Sequence, residues 1–126
     1  TIDSATMMNK GFEVIEAHYL FGVAYDNIKV IIHPNGLVHG MVLFRNGEFM
    51  LNAYKPDMRI PIANAIFFPN EVNGNWVMDF DALSLMNLDI REVNIEEYKA
   101  LKICYEVGRL GGGYLVALNA VNEEAV

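Results

Sequence analysis

The chain has little of what several chemistries require. Cys104 is the only cysteine in 126 residues, so no internal disulfide and no thiolate metal cluster can form. It sits in an apolar helical pattern with Leu101 and Tyr105 and reads as a buried structural thiol, because apolar surroundings keep a thiol protonated and inert. Basic residues are scarce: nine Lys and Arg stand against sixteen Asp and Glu, for a net charge of −7. A nucleic-acid partner needs a basic face, and none is present. No apolar run reaches the roughly 18 residues of a membrane-spanning helix. His18, His33 and His39 lack the His-Glu-x-x-His spacing of a zinc site, and Pro34-Asn35-Gly36 separates the last two. Gly111-Gly112-Gly113 follows a helical pattern rather than a strand, so it is not a nucleotide-binding loop.

What the chain does have is apolar side chain. Hydrophobic residues make up 53% and charged residues 20%, which is enough for a packed core. The acidic excess is uneven. Residues 1–69 carry five basic against six acidic side chains, and residues 70–126 carry four against ten. The near-neutral front suits a small anionic substrate held by a few placed cations. Thr1 runs directly into an apparent strand and Val126 falls inside a helical pattern, so the chain reads as an internal piece of a longer protein.

The periodicities predict an α+β fold: a mixed or antiparallel sheet with helices packed on one face, a linker, and a truncated α-helical C-terminal part. A helix is expected over 7–21, with Met8, Phe12, Ile15 and Tyr19 as its core stripe and Gly22 as its stop. Strands are expected at Ile28–His33, Leu37–Phe44 and Phe49–Ala53. The last two are joined at Arg45-Asn46-Gly47-Glu48 by a type I′ hairpin turn, which Asn-Gly favours. A helix at 58–67 follows, with Pro61 tolerated in its first turn. The predicted partition is 1–69, part of a catalytic and substrate-binding domain; 70–95, a linker with apolar anchors at Trp76, Met78, Phe80 and Leu83 to Leu88 and one short strand; and 96–126, the start of a helical domain. Residues 96–110 place Tyr98, Leu101, Cys104, Tyr105 and Gly108 on one helix face, and a second helix starts at Tyr114. Residues 7–69 are expected to hold the core as helix on sheet, with 96–126 loosely docked.

The segment Ser4-Ala5-Thr6-Met7-Met8-Asn9-Lys10-Gly11-Phe12-Glu13 carries the clearest chemistry. It reads as the opening of an amphipathic helix, where unpaired N–H groups and a partial positive charge favour an anion. Ser4 and Thr6 offer hydroxyls, Asn9 an amide and Lys10 a full charge. Asn9 and Glu13 are four apart and share a face, so a carboxylate lies about 6 Å along from the amide. This suits a ligand with a phosphate at one end and a metal-bound oxygen further on. On a solvated helix the same residues would be ordinary surface side chains.

Residues 4–17, Ser-Ala-Thr-Met-Met-Asn-Lys-Gly-Phe-Glu-Val-Ile-Glu-Ala, resemble the signature of the 1-deoxy-D-xylulose 5-phosphate reductoisomerase family of non-mevalonate isoprenoid biosynthesis. His33-Pro34, Val38-His39, Pro56-Asp57-Met58-Arg59, Tyr105-Glu106-Val107-Gly108, Ala117-Leu118-Asn119-Ala120 and Asn122-Glu123 extend the resemblance over nearly the whole chain.

The resemblance implies an NADPH-dependent enzyme with Mg²⁺ or Mn²⁺ that converts 1-deoxy-D-xylulose 5-phosphate to 2-C-methyl-D-erythritol 4-phosphate. It assigns Ser4, Asn9 and Lys10 to phosphate and substrate binding. Glu13 becomes a metal ligand that also touches substrate, and His39 an active-site histidine. Pro56 and Met58 become the wall beside substrate and nicotinamide. Glu16 has no assigned ligand role, and His33 reads as structural. The remaining metal ligands and the NADPH domain would lie upstream, leaving this piece alone inert. A homodimer and a bacterial cytoplasmic location are implied, with a plastid form as the alternative, since any targeting segment would lie upstream.

The chain departs from the family's pattern at Asn35 and Gly36, at Gly40, and at Asn52-Ala53-Tyr54-Lys55, which removes two hydroxyls near the site. Two other readings remain: a related NADPH oxidoreductase acting on another phosphosugar, and a non-catalytic dimerisation or structural module.

Overall fold

The computed structural model describes residues 2–72 and 88–126. Its elements are α1 (Ile2–Thr6), α2 (Met8–Phe21), a short 3₁₀ turn (Tyr25–Asn27), β1 (Ile31–Ile32), β2 (Val38–Leu43), β3 (Phe49–Ala53), α3 (Arg59–Phe67), β4 (Arg91–Glu92), α4 (Lys99–Leu110) and α5 (Gly113–Ala125). β1 pairs with β4, and β2 with β3. The α+β class holds. Thr1–Ile32 and Glu92–Val126 form one compact unit, and His33–Arg91 forms the other. Most of the expected linker lies outside the described residues. Its described end contains β4, a single short strand.

Two expectations at the front of the chain are corrected. The opening is α-helical rather than extended, with the Thr6 hydroxyl 2.9 Å from the Ile2 carbonyl. The helix then breaks at Met7, whose φ of 61° lies in the left-handed region that non-glycine residues rarely occupy. α2 starts afresh behind it, so the sequence signature spans two helices broken at Met7.

In the first unit the core lies between helices. Val14, Tyr25, Val30, Leu101 and Tyr105 form its buried cluster, bordered by half-buried Met7, Ile15, Ile28, Val93, Ile95 and Tyr98. Burial at this level stabilises by about 1.5–3 kcal/mol for each large apolar side chain. α4 presents Leu101, Cys104, Tyr105 and Gly108 inward, as its spacing predicts. Within 96–126, α4 is firmly packed rather than loosely docked: Leu101 and Cys104 are the largest fully buried side chains among the described residues. A helix–helix core replaces the expected helix-on-sheet core.

The buried line of α2 also differs from the expected stripe. It runs through Gly11 and Val14 with half-buried Met7 and His18, while Tyr19 is exposed. The reason is Gly11. A Cβ there would lie 2.6 Å from the Cys104 Cβ, so the two helices approach as only glycine permits. Apolar periodicity gives no weight to a glycine, so the pattern of large apolar residues points one position round the helix from the buried line.

Cys104 is fully buried, its Sγ 3.4 Å from the Met8 sulfur, and burial pushes its thiol up to about 11. A maleimide reagent at pH 7.5 should therefore label the native full-length protein at Cys104 far more slowly than the urea-unfolded protein. Equal rates would show that the α2–α4 contact opens freely.

In the second unit β2 and β3 pair antiparallel. Phe44 N–H donates to the Glu48 carbonyl (2.8 Å) and Gly47 N–H to the Phe44 carbonyl (3.0 Å), with Gly47 at φ 90°. Asn46 keeps a negative φ, so the type I′ turn is not formed. The loop instead has three residues, closed by a left-handed glycine. Asn46 stabilises it by accepting the Glu48 N–H at 3.1 Å. The exposed hairpin side chains include Met41, Leu43, Phe49 and Met50.

Candidate functional site

Four of the residues assigned from sequence fall in the first unit. α2's hydrogen-bonded ladder begins with Gly11 N–H donating to the Met7 carbonyl at 2.9 Å. The Asn9 and Lys10 N–H groups therefore lie ahead of the ladder, at the positive end of the helix. The Asn9 amide donates to Glu13 Oε1 at 3.0 Å, and the Lys10 ammonium pairs with Glu13 Oε2. Amide, ammonium and carboxylate thus meet on one exposed turn. The Lys10 and Glu13 side chains are 49% and 45% exposed, so their pair is open to solvent and contributes little stability, about 0–1 kcal/mol. It can separate cheaply when a ligand offers each partner more.

Ser4 lies exposed on α1 rather than at the entry of α2. Thr6 is not available as expected. Its hydroxyl donates to the Ile2 carbonyl and accepts the Met8 N–H at 3.4 Å, at the junction of α1 and α2. Glu16 is exposed.

His39, Pro56 and Met58 fall in the second unit. The register of β2 against β3 passes from Val38↔Ala53 to Gly40↔Asn52, so His39 is the extra residue of a β-bulge. Bulges re-aim a side chain. Here the imidazole stacks on Tyr54 at 3.8 Å between ring centroids, 9° from parallel, and Nε2 donates to the Tyr54 carbonyl at 3.0 Å. A carbonyl can only accept, which fixes the proton on Nε2 and leaves Nδ1 as an acceptor whenever the ring is neutral. The bulge was missed from sequence, although Gly40 inside a strand pattern is its usual signal.

Pro56 is exposed beside Gly36, and Met58, 68% exposed, precedes α3. Asp57 accepts the Arg59 N–H at 3.0 Å and grips its guanidinium at 2.5–3.0 Å, which fixes the backbone either side of Met58. The Arg59 hydrogen bonds hold the Asp57 carboxyl down at about 2. The clamp is therefore complete above the ordinary carboxylate range near 4 and is lost as pH falls toward 2. An NMR titration of the Asp57 side-chain carbon should give a midpoint near 2; a midpoint near 4 would mean the clamp does not persist in solution.

Glu13 supplies one carboxylate, and no group of three His, Cys, Asp or Glu able to hold a metal ion occurs among the described residues. A hard divalent cation takes six or more oxygens. Glu13 fits such an ion as one ligand of several, and the others must come from outside the described residues. Exposed Pro56 and Met58 fit a flat, apolar neighbour. A cavity of about 310 Å³ lined by Tyr25, Lys29, Val93, Leu101 and Tyr105 lies elsewhere in the first unit. None of the assigned residues lines it, and the ion pairs Lys29–Glu92 and Arg109–Asp26, both at 2.7 Å, already satisfy its charges.

A family model described as the DXP reductoisomerase C-terminal domain matches residues 54–126. The chain belongs to this family. A second model, the 1-deoxy-D-xylulose 5-phosphate reductoisomerase C-terminal domain, matches residues 1–21, which include Ser4, Asn9, Lys10 and Glu13. The reductoisomerases of Geobacillus kaustophilus and Listeria innocua are 45% and 47% identical over all 126 residues. The chain spans about a third of those relatives' length, 33% of each. Among solved structures, the Zymomonas mobilis reductoisomerase in complex with NADPH matches 99% of the chain and 33% of its own, with TM-score 0.89 and 35% identity. A reductoisomerase in complex with NADPH, fosmidomycin and magnesium matches 98% of the chain and 30% of its own, with TM-score 0.88 and 42% identity.

Proposed function

We propose that this chain supplies the phosphate clamp and one metal-binding carboxylate of an NADPH-dependent 1-deoxy-D-xylulose 5-phosphate reductoisomerase. The observation that carries the reading is the meeting of Asn9, Lys10 and Glu13 on one open turn of α2, in a chain 45% identical to reductoisomerases. The relatives' bound NADPH and magnesium, and the phosphonate fosmidomycin in one of them, support the choice of ligands.

In this reading the Lys10 ammonium leaves Glu13 for the substrate phosphate. A charge-assisted contact to phosphate is worth about 1.5–3 kcal/mol, more than the exposed ion pair it replaces. The Asn9 amide and Ser4 hydroxyl complete the clamp, and remote phosphate binding then orients the reacting carbons. Glu13, released, would be one oxygen ligand to Mg²⁺ or Mn²⁺. A bound divalent ion would supply Lewis-acid polarisation of the substrate's carbonyl and hydroxyl oxygens. His39, held by Tyr54, presents Nδ1 as an acceptor toward a substrate hydroxyl. Pro56 and Met58 form an apolar wall that excludes water from the hydride path. The whole enzyme works as a homodimer in this reading, and the hairpin's exposed Met41, Leu43, Phe49 and Met50 suit an intersubunit face.

Glu13→Gln in the full-length protein tests the metal assignment. An amide is a poor ligand for a hard cation, and even outer-shell changes at metal sites cost about 10–100-fold in affinity. The Mg²⁺ midpoint of activity should rise about tenfold or more. An unshifted midpoint with normal turnover removes Glu13 from the site.

A further inference from the structure

α1 has five residues, and none of them is buried. A helix this short is not stable by its own hydrogen bonds and must be held by its surroundings. Ile2 is 51% exposed, and Ser4, Ala5 and Thr6 face solvent. Asp3 is the exception. It is half-buried, and its Oδ2 accepts a hydrogen bond from the Asn122 amide of α5 at 3.1 Å, across 119 residues of sequence. Asn122 is 9% exposed and is the one buried polar side chain among the described residues. Asp3 turns inward although its Oδ1 is buried without a partner, so its only direct compensation is the Asn122 amide.

We propose that Asn122 is a positioning residue: by holding Asp3 it sets the rotation of α1 and so aims the Ser4 hydroxyl at the phosphate clamp. Successive residues of a helix project about 100° apart. Fixing the Asp3 side chain toward α5 therefore fixes the direction of its neighbour Ser4. Beyond Ser4, the Thr6 hydroxyl binds α1 to the first turn of α2, and Met7 packs its side chain on the core. α1 is thus pinned at both ends, with Asn122 as the pin farthest from Asn9 and Lys10. The inference rests on the phosphate reading given above.

The test uses the full-length protein with 1-deoxy-D-xylulose 5-phosphate, NADPH and Mg²⁺. Asn122→Asp keeps the shape of the side chain and sets carboxylate against carboxylate. It should raise KM about tenfold with a much smaller change in kcat, since misplacing a binding group by about 1 Å can cost up to about 10²-fold. Combining it with Asp3→Asn exchanges amide and carboxylate across the same 3.1 Å contact, and KM should return to near its original value. Asn122→Ala, which removes the amide without adding charge, is read alongside with the same expectation in case the carboxylate pair prevents folding. Lys10→Ala serves as the reference. If it raises KM while folded Asn122 variants leave KM unchanged, or if the exchange restores nothing, the positioning role is wrong and the phosphate clamp stands. If Lys10→Ala leaves KM unchanged, the phosphate reading fails and this inference falls with it.

Discussion

Gly11→Val in the full-length protein should lower stability by about 3 kcal/mol or more. The new side chain has no space: even a Cβ would lie 2.6 Å from the Cys104 Cβ, with the Leu101 backbone at 3.8 Å behind it. Overpacking a core costs about 1–3 kcal/mol where neighbours can yield, and more where they cannot. Gly11→Ala makes the sign informative. On an open helix alanine would stabilise by about 1 kcal/mol relative to glycine, whereas the contact with α4 should reverse this. Urea unfolding of both variants decides the matter. A midpoint at or above that of the unsubstituted protein would mean that α2 and α4 are spaced farther apart than described.

Lys10→Ala should raise KM for the phosphosugar about tenfold or more while the protein stays folded. The lost contact is worth about 1.5–3 kcal/mol. The change should be nearly free in stability, because the Lys10–Glu13 pair is half exposed. Steady-state kinetics and a melting curve separate the two effects. A loss of stability with KM unchanged would make Lys10 a structural residue.

Where the sequence legibly predicts this fold, a local spacing of residues carries the signal. The inward face of α4 follows from the spacing of Leu101, Cys104, Tyr105 and Gly108, and β3 falls at Phe49–Ala53 as its residues suggest. Where prediction and structure part, the cause is a contact that no local pattern records. Gly11 carries no apolar side chain to mark it, and it is where α2 meets Cys104 of α4 too closely for a Cβ. The left-handed turn at Met7 leaves no trace in composition, since methionine is an ordinary helix former. Loose docking of 96–126 is expected of a helical part cut short of its bundle, yet α4 closes on α2, about ninety residues earlier in the chain.

The candidate site was legible to a similar degree. Asn9, Lys10 and Glu13 meet because residues three and four apart share a helix face. Thr6 was misread because a hydroxyl near a helix start serves a ligand and a backbone N–H equally well, and only geometry tells them apart. Asp3 and Asn122 could not be paired from sequence, because nothing local links positions 119 residues apart.

The most direct measurement is turnover by the full-length protein, followed as NADPH consumption, with 1-deoxy-D-xylulose 5-phosphate and Mg²⁺ present or withheld. The expected result is oxidation of NADPH that requires both the phosphosugar and the metal, with an apparent KM that Lys10→Ala raises about tenfold or more. Turnover on a different phosphosugar alone, or none with a folded protein that binds NADPH, would contradict the proposed function.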